Sequence, residues 1–488
     1  MGALTMHNEC KKSCILVLLA VIILFGCVSQ QQYREKLKVE HGPNFCKEDT
    51  APTDCETAIA IIKKGQPSYF LGIVEFDDSG LLFDPKQLDF VIENLKFNKV
   101  MSSDYKGTIL VVFAHGWTHN AAPDDGNLKY FESLLQTLAD DEKKNAIKDN
   151  RFPRFVQGVY LAWRGQSLPG PLHYFTFYNR KDTAHRIGER EATQTLLRLR
   201  EVAYDLATQP SLNETNQRPN RFIVVGHSFG GALVFSAVSQ LISYELIYPT
   251  RASSPPLLAD SLILINPAFE AGRVLPLFQT LTYNNTSRPT IIPRPKLAIF
   301  TSDNDKDTKR YFVWPRFVST VFNPIFGTSY RKVENPLRQK LPAREDLKIS
   351  QQDADTRSIG HFDPLVTHFL VSSDRIGKLV GCSQKVLSDE EIQKKLQYTY
   401  SNKKYDYLDF GETCLVVADP KYINSETGPD LVPGFEKNLE RLEKQQLAIF
   451  NVKVNKEIWD GHGLEENNKM FLTFLKKFIP FSTGEIKF

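Results

Sequence analysis

A serine set between glycines is the clearest chemical signal in this sequence. Residues 226–230 read Gly-His-Ser-Phe-Gly, with Ser228 at the centre. The apolar run 222–225 is typical of a strand buried on both faces of a parallel sheet, and the apolar spacing after Gly231 is helical. Such a strand-to-helix turn holds a serine hydroxyl out above the sheet, where the helix N–H groups stabilise developing negative charge. The pattern therefore predicts that Ser228 is an exposed nucleophile.

Carboxylates follow a later apolar run in a second chemically capable stretch. Asp303, Asp305 and Asp307 alternate directly after the predicted strand 296–300. Alternating aspartates also begin EF-hand calcium loops, but such a loop needs Gly and Glu where this chain has Thr308 and Trp314. No metal site is therefore predicted here, and the carboxylates are available to orient a histidine.

Two histidines could act as a general base. His462 lies between glycines, after the alternating strand pattern 450–454 and before a helical stripe of apolar residues. The alternation predicts a half-buried edge strand. His361 also follows a glycine, and its position in the chain alone does not exclude it.

A further apolar run, residues 108–114, ends in His115-Gly116-Trp117. With this HG motif, the serine turn, the acid at 305 and the histidine at 462, the chain resembles the α/β-hydrolase superfamily in its lipase and esterase-like branch. The resemblance begins near Tyr69 and runs to the carboxyl terminus. It implies an α/β fold with a mostly parallel central sheet flanked by helices, and a cap inserted before the last strand.

The resemblance also implies roles for individual residues. Ser228 would be the nucleophile, His462 the base and Asp305 the acid that holds the imidazole, with Asp303 and His361 as alternative members of the triad.

Two backbone groups would complete the site. The resemblance places the oxyanion hole at the backbone N–H groups of Trp117 and Phe229, and gives His115 a structural role. The implied reaction is hydrolysis of a carboxylic ester, from a lipid or a small acyl ester, and it needs no metal or organic cofactor. A hydrolase scaffold retained for binding or surface assembly without turnover is the alternative.

The amino terminus has the layout of a secretory signal peptide. Lys11 and Lys12 precede the apolar run 15–25, and residues 24–27, Leu-Phe-Gly-Cys, resemble the lipobox of bacterial lipoproteins. The sequence therefore predicts a signal peptide over 1–27, lipidation of Cys27 and a body in the cell envelope, outside the cytoplasm. An uncleaved signal anchor is the alternative. Residues 28–66 are predicted to form a tether, and 67–488 a hydrolase domain with cap insertions at about 308–446.

Four cysteines would remain in the mature body: Cys46, Cys55, Cys382 and Cys414. Proximity in the sequence favours pairing the first two and the last two, and an oxidising compartment would keep both bridges formed. Four free, buried thiols are the alternative.

The composition excludes several other classes of protein. With 42% hydrophobic and 24% charged residues the chain is globular, and its net charge of +3 comes without a basic and aromatic cluster. A nucleic-acid partner is therefore not predicted. A glycine-rich nucleotide-binding turn is an alternative to the serine turn, but no G-x-G-x-x-G motif or P-loop lysine supports it.

Overall fold

The computed structural model describes residues 30–35, 59–60, 69–101, 104–168, 173–174, 176–205, 217–248, 256–284, 295–312, 330–333, 347–373, 407–417, 423–424, 428–429, 448–464 and 468–483. Cys27, Cys46, Cys55 and Cys382 lie outside these residues.

The centre of the protein is a sheet of eleven described strands, and two short strand pairs lie apart from it. In chain order the strands are β1 (Ile59–Ala60), β2 (Tyr69–Phe76), β3 (Thr108–Ala114), β4 (Phe155–Trp163), β5 (Arg221–His227), β6 (Ser261–Ile265), β7 (Leu297–Ser302), β8 (Tyr330–Val333), β9 (Leu347–Ser350), β10 (His368–Ser372), β11 (Tyr407–Asp409), β12 (Thr413–Val417), β13 (Ile423–Asn424), β14 (Gly428–Pro429) and β15 (Ile449–Val454). Their order across the sheet is β1-β2-β4-β3-β5-β6-β7-β15-β10-β12-β11. From β2 to β10 all neighbours are parallel.

Helices cover both faces of this sheet. They are α1 (Pro85–Met101), α2 (Gly126–Lys148), α3 (Phe177–Ile187), α4 (Thr193–Tyr204), α5 (Phe229–Ile247), α6 (Leu275–Asn284), α7 (Gln351–Thr356) and α8 (Lys469–Thr483). A mostly parallel sheet with helices on both faces confirms the predicted α/β class.

Strand β5 shows why the central strands are apolar throughout. Val224 belongs to one buried cluster together with Phe235 of α5, whereas its neighbour Val225 belongs to the cluster on the opposite face. Because successive side chains point to opposite faces, a strand covered on both sides has no polar face. Among the described helices, α5 alone is long and apolar enough to cross a membrane, and half of that apolar window is buried inside the protein.

The last strand of the domain, β15, is not the edge strand that its alternating sequence predicts. It pairs with β7 on one side and β10 on the other, and all six of its residues are buried. Its polar residues have partners in the segment 359–365. Asn451 donates to the carbonyls of Ile359 and Leu365, and Lys453 Nζ lies 2.6 Å from Asp363 Oδ1. Polar and apolar residues alternate in β15 because the face that carries Asn451 and Lys453 packs against a polar segment and not against solvent.

Seven described strands lie inside the interval that the sequence assigns to cap insertions, and three of them belong to the central sheet. β10, β11 and β12 continue the central sheet beyond β15, so these described residues extend the sheet. Cys414 in β12 is disulfide-bonded. Its partner lies outside the described residues, so pairing with Cys382 stays a prediction.

The beginning of the predicted tether is packed against the domain. Arg34 is 1% exposed, and its backbone N–H donates to Glu75 near the end of β2. Residues 33 and 34 of the predicted tether are thus bound to the domain by a buried carboxylate.

Candidate active site

Ser228 occupies a strained turn between β5 and α5. Its backbone has φ 54° and ψ −119°, a conformation that costs a non-glycine residue free energy. A Cβ added to Gly226 would lie 2.6 Å from the carbonyl oxygen of Gly230, and one added to Gly230 would lie 2.0 Å from that of Ala114. Only glycine fits at either position, because helix, strand and neighbouring β3 pass so close together.

The serine is enclosed, contrary to the expectation of an exposed hydroxyl. Ser228 is 3% exposed. One cause is the loop after β3, since a Cβ on Gly116 would lie 2.9 Å from the Cβ of Ser228. Ser228 is therefore almost closed off from solvent.

Three predicted residues come together at the carboxyl edge of the sheet. His462 Nε2 lies 2.7 Å from Ser228 Oγ, and His462 Nδ1 lies 3.0 Å from Asp305 Oδ2. In this arrangement the Nδ1–H donates to the carboxylate, so Nε2 is free to accept the serine proton. The three side chains form one continuous series of hydrogen bonds.

Asp305 is fully buried, and both of its oxygens are occupied. Oδ1 accepts the backbone N–H groups of Asp307 and Thr308 at 3.0 and 3.1 Å, while Oδ2 accepts the Thr308 hydroxyl and His462. Burial acts to raise the pKa of this carboxyl, but the His462 ring and these donors outweigh it and hold the pKa below its usual range. Asp305 is therefore an ionised, fixed acceptor.

The alternative acid, Asp303, lies elsewhere. Its side chain is 42% exposed and lies 4.0 Å from Lys453 Nζ, and its backbone N–H donates to Val454. The structure thus brings Asp305 to His462 and leaves Asp303 beside a lysine.

The alternative base, His361, lies behind the acid. Its Nε2 is 3.1 Å from the Thr308 hydroxyl oxygen, and that hydroxyl donates to Asp305. Burial lowers the pKa of His361 to about 4, so the ring is neutral at physiological pH. His361 therefore contacts Asp305 through Thr308, whose hydroxyl donates to Oδ2, the same oxygen that accepts His462 Nδ1–H.

The sequence itself matches a family model, described as the alpha/beta hydrolase family, over residues 111–396. This is more than half of the chain. The chain belongs to the alpha/beta hydrolase family. The matched region of this hydrolase contains Ser228 and Asp305 and ends before His462, whose place at the site comes from the structure.

Other comparisons add little. No curated protein matches the chain. Among solved structures it is similar to phospholipase PlaB from Legionella pneumophila in complex with thio-NAD, at 14% identity and a TM-score of 0.22. That likeness covers 54% of this hydrolase and 45% of the phospholipase chain, so it spans less than half of that protein.

Sequence reasoning missed the residues that hold the histidine loop of this hydrolase. Asn266, which follows β6 with φ 43°, donates its amide to the carbonyls of Gly461 and His462 at 3.2 and 2.9 Å. His227 Nε2 lies 3.0 Å from the same His462 carbonyl. The one available signal is that both residues lie at the carboxyl ends of strands, where open α/β folds gather their site residues.

Burial and charge act in opposite directions on His462. Burial lowers the pKa of the imidazole, whereas the negative charge of Asp305 and the hydrogen bond to it raise the pKa and prevail. The net effect is a pKa above the ordinary value of 6.5, which makes His462 a stronger proton acceptor.

The two predicted oxyanion residues flank the serine. Phe229 is the first residue of α5, and Trp117 follows the glycine that packs against Ser228. The turn before Trp117 is fixed by His115, whose Nδ1 donates to Gly116 O at 2.9 Å while Nε2 accepts the Trp163 N–H at 3.0 Å. These contacts agree with a structural role for His115.

Aromatic rings form a wall beside the serine. The ring of Trp117 lies 4.7 Å from His173, 5.5 Å from Tyr174, 5.1 Å from Phe177 and 6.1 Å from Phe229 between centroids. The indole Nε1 of Trp117 is buried and has no hydrogen-bond partner among the described residues. The wall is therefore aromatic, and the indole N–H of Trp117 is a buried donor within it.

One group of side chains has the spacing of a cation site. Asp305, Asp307 and His462 offer ligand atoms that lie within 4.8 Å of one another. The four hydrogen bonds accepted by Asp305 account for its position, so the grouping is explained without a cation.

Proposed function

We propose that this hydrolase is a serine esterase that cleaves carboxylic esters through an acyl-enzyme. The proposal is supported by the series of hydrogen bonds that joins Ser228, His462 and Asp305, with contacts of 2.7 and 3.0 Å. Nucleophile, base and orienting carboxylate in hydrogen-bond contact are the requirement for activating a serine hydroxyl.

The reaction then follows from the positions of the atoms. His462 Nε2 takes the proton as Ser228 Oγ bonds to the ester carbonyl carbon, and Asp305 stabilises the imidazolium that forms. The tetrahedral intermediate collapses, the C–O bond to the leaving alcohol breaks, and His462 returns the proton to that oxygen. Water, activated by the same imidazole, hydrolyses the acyl-enzyme and restores Ser228.

The negative oxygen of the intermediate needs donors fixed in advance. We assign these to the backbone N–H groups of Phe229, at the amino terminus of α5, and of Trp117. The close contact of Gly116 with Ser228 supports the second assignment, because it holds this loop against the nucleophile. No step requires a metal or an organic cofactor.

The acyl group of the substrate is proposed to lie along the aromatic wall. Trp117 is partly buried and packs on the buried rings of Phe177 and Phe229, so its own ring is proposed to contact the acyl chain of a lipid or of a small ester.

A folded scaffold without turnover is the competing function. The test is hydrolysis of a panel of p-nitrophenyl esters of graded acyl length by the purified protein. Turnover that a fluorophosphonate abolishes is the expected result. A folded protein that hydrolyses none of the esters would favour the non-catalytic scaffold.

The raised pKa of His462 predicts the acid limb of the pH–rate profile. The base must be neutral to accept a proton, so kcat/KM should rise with pH through a pKa above 6.5. Asp305→Asn removes the charge that raises this pKa, so the residual activity of that variant should have its acid limb at lower pH. A limb that does not move would contradict the assignment of Asp305.

The location of the protein is also a proposal. We propose that residues 1–27 act as a signal and that Cys27 anchors the mature chain to the cell envelope by lipid. Intact mass after detergent extraction should show a diacyl or triacyl adduct, and Cys27→Ala should prevent processing. An unmodified chain that retains residues 1–26 would instead support an uncleaved signal anchor.

A further inference from the structure

The short segment at residues 30–35 is bound by a specific set of hydrogen bonds, here called the clasp. Glu75 accepts the backbone N–H groups of Tyr33 and Arg34, each at 2.8 Å. Gln87 donates its amide to the Arg34 carbonyl at 3.2 Å, and Arg34 Nε donates to the Ala121 carbonyl at 2.7 Å. The three clasp side chains, Arg34, Glu75 and Gln87, are each at most 2% exposed. A buried polar set of this kind fixes the path of the chain at this point.

The strand register places the clasp level with the nucleophile. In the pairing of β2 with β4, Glu75 lies opposite Ala162, one residue after Leu161. In the next two pairings Leu161 lies opposite Ala114 of β3, and Ala114 lies opposite Gly226 of β5. Glu75 is therefore in line with His227, one residue before Ser228. Three strand spacings separate β2 from β5, a lateral distance of about 14 Å. The clasp and the serine thus share the carboxyl edge of the sheet.

Few residues separate the clasp from the proposed membrane anchor along the sequence. The apolar run ends at residue 25, and Cys27 precedes Tyr33 by six residues. Six extended residues span at most about 20 Å. A body of roughly 420 residues has a radius of gyration near 22 Å, so it is more than about 40 Å across. The chain cannot reach around the body, whether Cys27 carries lipid or the apolar run stays in the bilayer.

We propose that the clasp holds the carboxyl edge of the sheet, and with it Ser228, against the membrane surface that carries the anchor. The substrate would then be an acyl ester lipid of that same membrane. This proposal rests on the proposed esterase function for its substrate, whereas the orientation of the protein can be measured without any turnover.

Two equally exposed positions report the orientation. Leu81 follows β2 at the carboxyl edge and Phe152 precedes β4 at the opposite edge, and each is 44% exposed. The edges are separated by the length of β4, about 27 Å. A fluorescent amino acid at position 81 or 152 of the full chain, in vesicles with acceptor-labelled headgroups, should transfer energy several-fold more efficiently from 81. Equal transfer, or stronger transfer from 152, overturns the orientation.

A longer connection provides a second test. Twenty Gly/Ser residues inserted after Val28 leave the clasp intact and add about 25 Å of flexible reach. Energy transfer from position 81 should fall, and hydrolysis of lipid in the same vesicles should fall several-fold, with hydrolysis of a soluble short ester unchanged. Unchanged hydrolysis of vesicle lipid overturns the claim that the clasp holds Ser228 against the membrane surface.

The two proposals fail in different ways. Absence of hydrolysis of the soluble ester by the original chain contradicts the esterase function and leaves the energy-transfer result in force. Hydrolysis of the soluble ester with no activity on vesicle lipid contradicts only the lipid substrate.

Discussion

His462→Ala is expected to lower kcat on a carboxylic ester by about 10⁴-fold or more. Its Nε2 is the only described proton acceptor seen in contact with the Ser228 hydroxyl, at 2.7 Å. Without it the hydroxyl must lose its proton to water, and the activation free energy rises accordingly. The measurement is kcat under saturating substrate.

His361→Ala is the matched control, because this ring, like that of His462, is partly buried and follows a glycine. Since His361 reaches Asp305 through the Thr308 hydroxyl and has no described contact with Ser228, most of the rate should remain. Circular dichroism should show that both variants are folded. A large loss at His361 with a nearly normal His462 variant would mean that the base has been assigned wrongly.

Asp305→Asn should also be severe, with a fall in kcat of about 10⁴-fold. The carboxylate fixes the His462 tautomer by accepting Nδ1–H at 3.0 Å, and an amide offers a donor in place of one acceptor. The wrong tautomer presents N–H to the serine hydroxyl, so only the minor population with the other tautomer can take the proton. KM should change much less than kcat.

Asp303→Asn provides the comparison for the acid. This side chain is 42% exposed and lies near Lys453, so its neutralisation should change kcat by less than about tenfold. Thermal unfolding of both variants separates catalysis from folding, since Asp305 is buried and bonded to the Thr308 hydroxyl. Equal losses in the two variants would show that Asp305 has no special role.

The parts of the site that could be predicted are those set by local sequence. The turn around Ser228 is specified by glycines that no other residue could replace, as the 2.0 Å approach at Gly230 shows. An apolar run on one side and a helical period on the other identify the flanking elements. The fold class follows from the same apolar runs, because strands covered on both faces contain few polar residues.

The parts that could not be predicted depend on contacts between distant segments. Strand β15 seemed half-exposed because Asn451 and Lys453 alternate with apolar residues, but their partners are 86 to 92 positions away in the chain. The hydrogen bond from the Asn266 amide to the His462 carbonyl joins residues that are 196 positions apart. No periodicity within a window of a few residues contains such pairings.

The enclosure of Ser228 has the same origin. A loop more than a hundred residues earlier brings Gly116 against its Cβ, and nothing in the sequence near the serine indicates this. The clasp likewise joins residues 33–34 to Glu75 across 41 and 42 positions.

Covalent labelling shows directly whether Ser228 is an activated nucleophile. The protein is treated with a fluorophosphonate, and intact mass and peptide mapping then locate the adduct. We expect a single adduct on Ser228, which disappears in Ser228→Ala while thermal unfolding stays nearly unchanged. Labelling that persists in Ser228→Ala, or an adduct on another residue of the original protein, would contradict this assignment of the nucleophile.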